Sequence, residues 1–463
     1  MRHLRLHLMG LPVRDPPQPS LNRRSCRHAR PQRQTPSEDF SSTSLSGIID
    51  TGRRMDEQAA LPHWENLVKS QLAMRIIGTN ESRFNTALTA LDEHLRLAIN
   101  GQRILILGGA GFIARQALSI LLRFHPSHVG IVDISENGLA DLMRGLRASN
   151  AIPAETIVDP WLADIGQPSF TRLVQSLENV DVVFNFAAVK HVRSERDLPS
   201  LLRMLEVNLL ATHSSTHLLQ QRFHGLLQFV VSTDKASDPA NFMGASKRAM
   251  EIALASLEAH TTTARFANVA FSSGSLLESW LRRLSARQPV VAPEDTWRYF
   301  VTPYESGQLC VAASMAPPNT TVIPRFTSSE LILLEDALCS TLEFFGLQPL
   351  RVADAGEARA RISEGIVDAG NYPYFLSPRD TAGEKQVEQL FGGDEAVSDW
   401  QPGLNVMPMT GDRQAVITFI EWLTNIIAQP GISVSAEDIH RRLTEVVPTF
   451  SHQDGAARLD DRV

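Results

Sequence analysis

The chain has little cysteine: Cys26, Cys310 and Cys339 are the only three in 463 residues. Their spacing matches neither a metal module nor a disulfide framework, so a reducing, cytoplasmic compartment is expected over export. Long apolar runs are missing too, and no stretch reaches the roughly 18 residues that a membrane-spanning helix needs. There is no excess of positive charge. With a net charge of -7, nothing global favours nucleic acid or an anionic membrane. What remains is 43% hydrophobic and 21% charged, which fits a soluble globular chain long enough for two or three domains.

The first 55 residues stand apart. Up to Arg33 they hold eight arginines and no lysine, with prolines between them and Ser/Thr-rich sequence after. This reads as a disordered tail, or as a start upstream of a true start at Met55; a targeting peptide or basic interaction arm is the alternative. Residues 56–100 read as a helical extension. Trp64, Leu67, Leu72 and Ile76 form one apolar stripe, and Phe84, Leu88, Leu91, Leu95 and Ile99 form a better one at three- and four-residue spacing.

At Arg103 the period changes. Ile104 to Leu107 is a buried strand, followed by Gly108-Gly109-Ala110-Gly111-Phe112-Ile113-Ala114 and a helix to about Phe124. A second strand, Val129 to Val132, ends in Asp133. Strand, glycine turn, helix, strand and acidic residue come in dinucleotide-binding order. Gly108 and Gly111 let the main chain approach a pyrophosphate, and the helix start around Phe112 and Ile113 supplies amide hydrogens. Asp133 can accept hydrogen bonds from an adenosine ribose and would repel a 2'-phosphate, which favours NAD over NADP. Asp164, after a third strand near 156–161, either bonds the adenine amino group or caps a helix from Pro168 to Leu177.

Val180 to Phe186 is the next strand. The small residues Ala187 and Ala188 after it allow the nicotinamide end of a dinucleotide to lie close. Lys190 and His191 follow near the cleft, His191 as a positioning residue or a proton donor. In the helix from Leu198 to Leu219, Asn208 lies on an apolar surface, where its amide can bond a distorted turn or a lysine near the site.

Phe229 to Val231 is a short strand that breaks into Ser232, Thr233, Asp234 and Lys235, the carboxyl end of a central parallel strand, where open sheets carry their chemistry. Adjacent Asp and Lys can divide acid and base duties when burial and pairing adjust them; a solvated turn with a local salt bridge is the plainer reading. Lys247 follows on a helix, one turn after Met243. It can bond the nicotinamide ribose, or be ordinary surface charge. A thioether such as Met243 cannot act as a general base.

These residues resemble the extended short-chain dehydrogenase/reductase family, and within it the polysaccharide-biosynthesis nucleotide-sugar dehydratases typified by UDP-N-acetylglucosamine 4,6-dehydratase. The resemblance covers about residues 101–315. It rests on Ser232-Thr233-Asp234-Lys235-Ala236, Pro239-Ala240-Asn241, Met243-Gly244-Ala245-Ser246-Lys247-Arg248 and, separately, Ala187-Ala188-Val189-Lys190-His191-Val192. The family usually has tyrosine where Met243 stands, though its larger members have methionine and also carry amino-terminal membrane helices.

The resemblance implies an α/β fold: a Rossmann-type doubly wound parallel sheet over residues 101–270 and a smaller α/β substrate-binding lobe within 271–450. Carboxyl-terminal helices near 415–427 and 436–446 would finish the lobe, part of which can return to the Rossmann domain, before a polar tail at 451–463. It also implies a 4,6-dehydration of a nucleotide sugar, UDP-linked, with NAD retained and a homo-oligomer formed through helices beside the site. Asp234 would be the acid for the C6 hydroxyl, Lys235 the C5 base, Thr233 the holder of the C4 oxygen and Lys247 the ribose ligand. Substrate contacts fall to Lys190, His191, Asn268 and Ser275 around a strand at Ala264 to Val269, and to Arg298, whose planar fork suits a pyrophosphate. Thr302 and Glu305 read as a helix cap. A weaker match at Gly383-Glu384-Lys385, Glu388 and Leu390 belongs to the substrate lobe; the preceding Arg379-Asp380-Thr381-Ala382 departs from the family form. An epimerase, or a noncatalytic NAD-binding assembly protein, is the competing reading.

Overall fold

A computed structural model describes residues 64–190, 192–257, 260–378 and 385–452. The expectations for the basic segment, for His191, for residues 379–384 and for most of the polar tail lie outside the described residues.

The helical extension is three helices: α1 (Trp64–Ile77), α2 (Asn85–Ala90) and α3 (Asp92–Ile99). Their apolar stripes enter two different cores. Phe84, Leu91, Leu95 and Ile99 are buried against the main sheet, whereas Leu72, Ala73 and Ile76 are buried in the smaller lobe.

The Rossmann segment runs β1 (Arg103–Leu107), α4 (Phe112–Leu122), β2 (His128–Asp133), α5 (Glu136–Ala148), β3 (Ile157–Leu162), α6 (Pro168–Ser176) and β4 (Val182–Asn185). It continues through α7 (Leu198–Leu205), α8 (Thr212–Arg222), β5 (Leu227–Val231), α9 (Phe242–Ala255) and β6 (His260–Ala264). The helix expected from Leu198 to Leu219 is interrupted. Glu206–Ala211 between α7 and α8 is π-helical, and Asn208 lies in that widened turn.

Ala264 to Val269 is not one strand. β6 ends at Ala264, and Asn268–Val269 forms β7, which pairs in parallel with β10 (Phe300–Val301) away from the main sheet. The break falls at fully buried Arg265, whose guanidinium bonds Glu251 and Glu395.

The smaller lobe holds α10 (Leu276–Ser285), β8 (Val290–Pro293), β9 (Trp297–Arg298), β12 (Ile332–Leu333) and α12 (Leu334–Phe344), then β13 (Gln348–Arg351), α13 (Ala355–Ser363) and β14 (Asn371–Ser377), while α11 (Pro303–Ala313) packs in the core of the main sheet and β11 (Thr320–Pro324) is one of its strands. Of these, β8, β13 and β14 form a separate three-stranded sheet. α11 opens with the expected cap: the Glu305 N–H donates to Thr302 Oγ1 at 3.1 Å and the Thr302 N–H to Glu305 at 2.8 Å.

The last elements, β15 (Ser398–Gln401), β16 (Leu404–Pro408), α14 (Arg413–Ala428) and α15 (Ala436–Val446), return to the Rossmann body. The main sheet is nine-stranded, in the order β15-β16-β11-β6-β5-β4-β1-β2-β3. It is parallel from β3 to β11 and closes with antiparallel β16 and β15. Helices α14 and α15 were expected to finish the substrate lobe. Instead Phe419, Leu423, Ile439 and Leu443 pack on Leu201, Met204 and Met250, because their apolar stripes complete the face left open by α7 and α9. Among the described residues no helix is long and apolar enough to cross a membrane.

Candidate active site

The strand order reverses between β1 and β4, so a crevice opens at their carboxyl ends, where open α/β sheets bind ligands. Gly108 lies at one side with φ +69°, and a Cβ there would meet the Ala187 backbone nitrogen at 2.7 Å. No other residue type fits that approach. Gly109, singled out by no expectation, is needed for packing: its Cβ would meet Ile131 at 2.4 Å. Gly111 forms the amino-terminal end of α4, which starts at Phe112 and Ile113 without a side-chain cap.

Asp133 reaches back from β2 and accepts the Ala110 N–H at 2.9 Å and the Ser135 N–H at 2.9 Å, so it holds the glycine turn as well as facing the crevice. Across the crevice, Asn185 accepts the Ala187 N–H at 2.9 Å, while its buried Nδ2 has no protein partner. A backbone cradle, an uncapped helix start, a carboxylate at the second strand end and an orphaned amide fit a dinucleotide.

Asp164 does not cap the following helix. The residue before α6 is Gln167, and Asp164 instead accepts from Arg203 at 2.7 Å and from the Gly166 N–H at 2.9 Å.

The loop with Ala187, Ala188 and Lys190 is tied down from both sides. Asn208 accepts from and donates to the main chain of Val189, and also donates to Ser246 Oγ at 3.1 Å. Its partner on α9 is thus a serine beside Lys247 rather than a lysine. Lys190 Nζ donates to the Ser273 carbonyl at 2.6 Å, joining this loop to the segment before α10.

Beyond β5, Thr233 caps a 3-10 turn over Asp234–Ala236 that holds Asp234 and Lys235. Thr233 Oγ1 donates to Asp234 Oδ1 at 2.9 Å, and the Lys235 ammonium lies 3.4 Å from the same oxygen. Its other side faces Glu388 at 3.5 Å. Burial opposes the Lys235 charge, but Asp234 and Glu388 outweigh both that and nearby Arg298, and hold its pKa above the lysine range. Gly244 lets α9 come this close, since a Cβ there would strike the Lys235 carbonyl at 2.4 Å.

Lys247 is buried on α9 and donates to the Val231 carbonyl at 3.0 Å. Burial lowers its pKa to about 8, against the pull of Glu251. Met243 is buried, and its N–H donates to Glu195 at 2.9 Å. Burial raises Glu195 to about 7 although the Met243 and Phe242 N–H groups stabilise its anion. Glu195 went unseen because no local pattern marks a carboxylate aimed at a distant helix start.

Of the substrate candidates, Arg298 joins the cluster: it is buried, donates to the carbonyls of Trp297 and Gln386 at 2.8 and 3.0 Å, and lies 3.9 Å from Glu388. Asn268 sits apart, its N–H on the Tyr299 carbonyl at 3.1 Å. Ser275 is the cap of α10, its Oγ accepting the Glu278 N–H at 3.3 Å. Among the described residues, no group of His, Cys, Asp or Glu is arranged to hold a metal.

The family described as polysaccharide biosynthesis protein matches residues 104–350, more than half of the chain. Staphylococcus aureus capsular polysaccharide biosynthesis protein CapD is 28% identical over 316 residues, 64% of this chain and 46% of that protein. The probable polysaccharide biosynthesis protein EpsC of Bacillus subtilis is 26% identical over 379 residues, 78% of this chain and 58% of that protein. The chain spans about half the length of these two curated relatives. Among solved structures, Pen from Bacillus thuringiensis superposes with a TM-score of 0.53 at 22% identity, covering 67% of this chain and 87% of that one, and so shares the fold.

Proposed function

Taking as premise that this chain belongs to the polysaccharide biosynthesis protein family, we propose that it is an NAD-dependent nucleotide-sugar 4,6-dehydratase acting on a UDP-linked N-acetylhexosamine. The observation that carries this reading is the Thr233-Asp234-Lys235 turn, with a shared carboxylate oxygen between hydroxyl and ammonium, at the end of β5 beside Lys247. A turn built only for surface charge would not bury Asp234.

Gly108, Gly111, Phe112 and Ile113 would hold the dinucleotide phosphates, Asp133 the adenosine ribose, Ala187 and Ala188 the nicotinamide side and Lys247 its ribose. Asp164, salt-bridged to Arg203, would line the adenine end. When bound, NAD would take a hydride from C4 of the sugar and return it to C6.

Thr233 is oriented to pass the C4 hydroxyl proton to Asp234, because its own hydrogen already points at that carboxylate. This route replaces the tyrosine that Met243 lacks. Asp234, now protonated, gives that proton to the departing C6 hydroxyl, which leaves as water. Lys235 is the C5 base: once its ammonium proton has been lost to solvent, the neutral amine would take the C5 proton and later restore it. Arg298 is the candidate for the diphosphate, and Lys190, held by the Ser273 carbonyl, is the candidate for the sugar.

Mass spectrometry of the purified protein with a panel of UDP- and other nucleotide sugars tests this. Loss of one water from UDP-N-acetylglucosamine is the expected result. Unchanged mass with a new stereoisomer would make the protein an epimerase instead, and bound NAD without turnover of any sugar would favour a noncatalytic role.

A further inference from the structure

Asp164 stands just beyond Leu162, the β3 residue that pairs with Asp133 of β2. Its carboxylate is gripped from two directions. Oδ1 accepts the Gly166 N–H at 2.9 Å, and Oδ2 accepts from the Arg203 guanidinium at 2.7 Å. A second nitrogen of the same guanidinium donates to Glu206 at 2.8 Å, so Arg203 is fixed between two acids. Behind the turn, a Cβ on Gly166 would meet the Ala211 Cβ at 3.2 Å. The loop after β3 therefore rests directly on the π-helical turn that follows Arg203.

This grip does not exhaust the carboxylate. Each oxygen has taken one hydrogen bond and keeps a further lone pair, and the side chain is still 23% exposed. Ile134, just past β2, and Leu162, the last residue of β3, are exposed apolar side chains at the same end of the sheet. Exposed aliphatic surface and an accessible acceptor suit a flat heterocycle with a donor on its rim. A partly exposed ion pair adds little stability by itself. What the planar fork adds is direction, because it bonds two acids at once and leaves the Asp164 carboxylate a single orientation.

Resting on the NAD-binding part of the reading above, we propose that Arg203 is a positioning residue for the cofactor. It aims the Asp164 carboxylate at the 6-amino group of the adenine, and so makes the site selective for a dinucleotide whose base carries a donor there. Asp164 is the binding group, and Arg203 acts only through it. One stretch of chain then serves both ends of the dinucleotide. Arg203, on α7, sets the adenine end, and Asn208, in the π-helical turn, sets the loop with Ala187 and Ala188. A base with a carbonyl at the 6-position would turn an acceptor toward the carboxylate, leaving two acceptors face to face with no hydrogen between them.

The test is calorimetric titration of the full chain, freed of nucleotide, with NAD and with nicotinamide hypoxanthine dinucleotide, in which a carbonyl replaces the 6-amino group. The wild type should bind NAD at least about tenfold more tightly. Arg203→Met keeps an unbranched stem and removes the fork. In that variant the preference should shrink to about twofold or less, through weaker NAD binding, with affinity for the hypoxanthine dinucleotide unchanged within about twofold. Asp164→Asn should lose the preference as well, because its amide can present a donor to the carbonyl oxygen.

Equal weakening of both dinucleotides in Arg203→Met, the mark of a merely structural tie, would overturn the role of Arg203, as would an unchanged preference. A wild type that does not distinguish the two would overturn the Asp164 contact with it. Neither titration needs a sugar. A preference that is lost in Arg203→Met, in a protein that dehydrates none of the nucleotide sugars, would keep this inference and overturn the dehydratase reading.

Discussion

Asn208 closes two hydrogen bonds on a single residue: its side-chain oxygen accepts the Val189 N–H at 2.8 Å, and its Nδ2 donates to the Val189 carbonyl at 2.9 Å. The π-helical turn brings the amide to that loop, and the third bond, to Ser246, links the same point to the helix of Lys247. The loop from Ala187 to Lys190 and the helix of Lys247 are therefore both set by one fully buried side chain. Asn208→Leu should strand these polar groups and cost about 1–3 kcal/mol. Thermal unfolding would show the loss, and titration with NAD should show weaker binding alongside it.

Gly108→Ala meets two obstacles, a left-handed backbone and the Ala187 main chain. Neither can yield, as both belong to strand ends of the sheet. NAD binding, followed by calorimetry, should fall by at least about tenfold, the equivalent of roughly 1.4 kcal/mol. Gly225→Ala serves as the control, since it shares the positive φ but has open space around its Cβ.

Acid should act through Glu251. Burial would raise its pKa, but Arg265, Arg248 and Ser232 bring it down to about 2. A folded-state value below the unfolded one contributes stability above about pH 4.5 that is lost as pH falls toward 2. The size is on the order of 3 kcal/mol. Urea unfolding across that window should show the decline, and Glu251→Gln should flatten it while lowering stability at neutral pH by roughly 3–5 kcal/mol, because Arg265 loses a buried partner.

Glu195 behaves in the opposite sense. Its folded pKa of about 7 lies above the unfolded value, so its contribution is complete below about 4.5 and lost as pH rises through 7. Glu195→Gln, still able to accept the Met243 N–H, should be more stable than the wild type at pH 8 and equal to it near pH 4. Equal stabilities at both pH values would show that folding does not shift this carboxyl.

Asp234→Asn with Lys235→Ala should abolish water loss while leaving NAD binding within about twofold, a difference of roughly 0.4 kcal/mol. An active double variant, assayed by mass of the product, would remove both catalytic roles.

The parts of this site that could be read in the sequence are those the backbone demands locally. The glycine turn, the acidic end of β2 and the Thr-Asp-Lys turn each announce themselves within a few residues, because turn and strand geometry restrict what may stand there. Asn208 was visible as a misplaced amide, and the π-helical turn supplies its reason. What was hidden depends on partners far apart in the chain. Nothing near Asp164 signals Arg203, nothing near Ser275 distinguishes a cap from a sugar contact, and nothing near Arg265 predicts its pairing with Glu251 and Glu395. Glu388 carried a motif resemblance, but its approach to Lys235 exists only after the chain has folded back across more than a hundred residues.

The sheet edge has a consequence for how the chain can be made. The matched family segment stops at residue 350, whereas β16, which covers β11, lies at Leu404–Pro408. While a ribosome is still adding residues up to that point, the β11 edge presents bare N–H and C=O groups to any passing strand. Synthesis of the last hundred or so residues is therefore a window in which chaperone dependence and inclusion-body formation should peak, and fragments ended between 350 and 404 should collect as aggregates rather than as smaller active proteins.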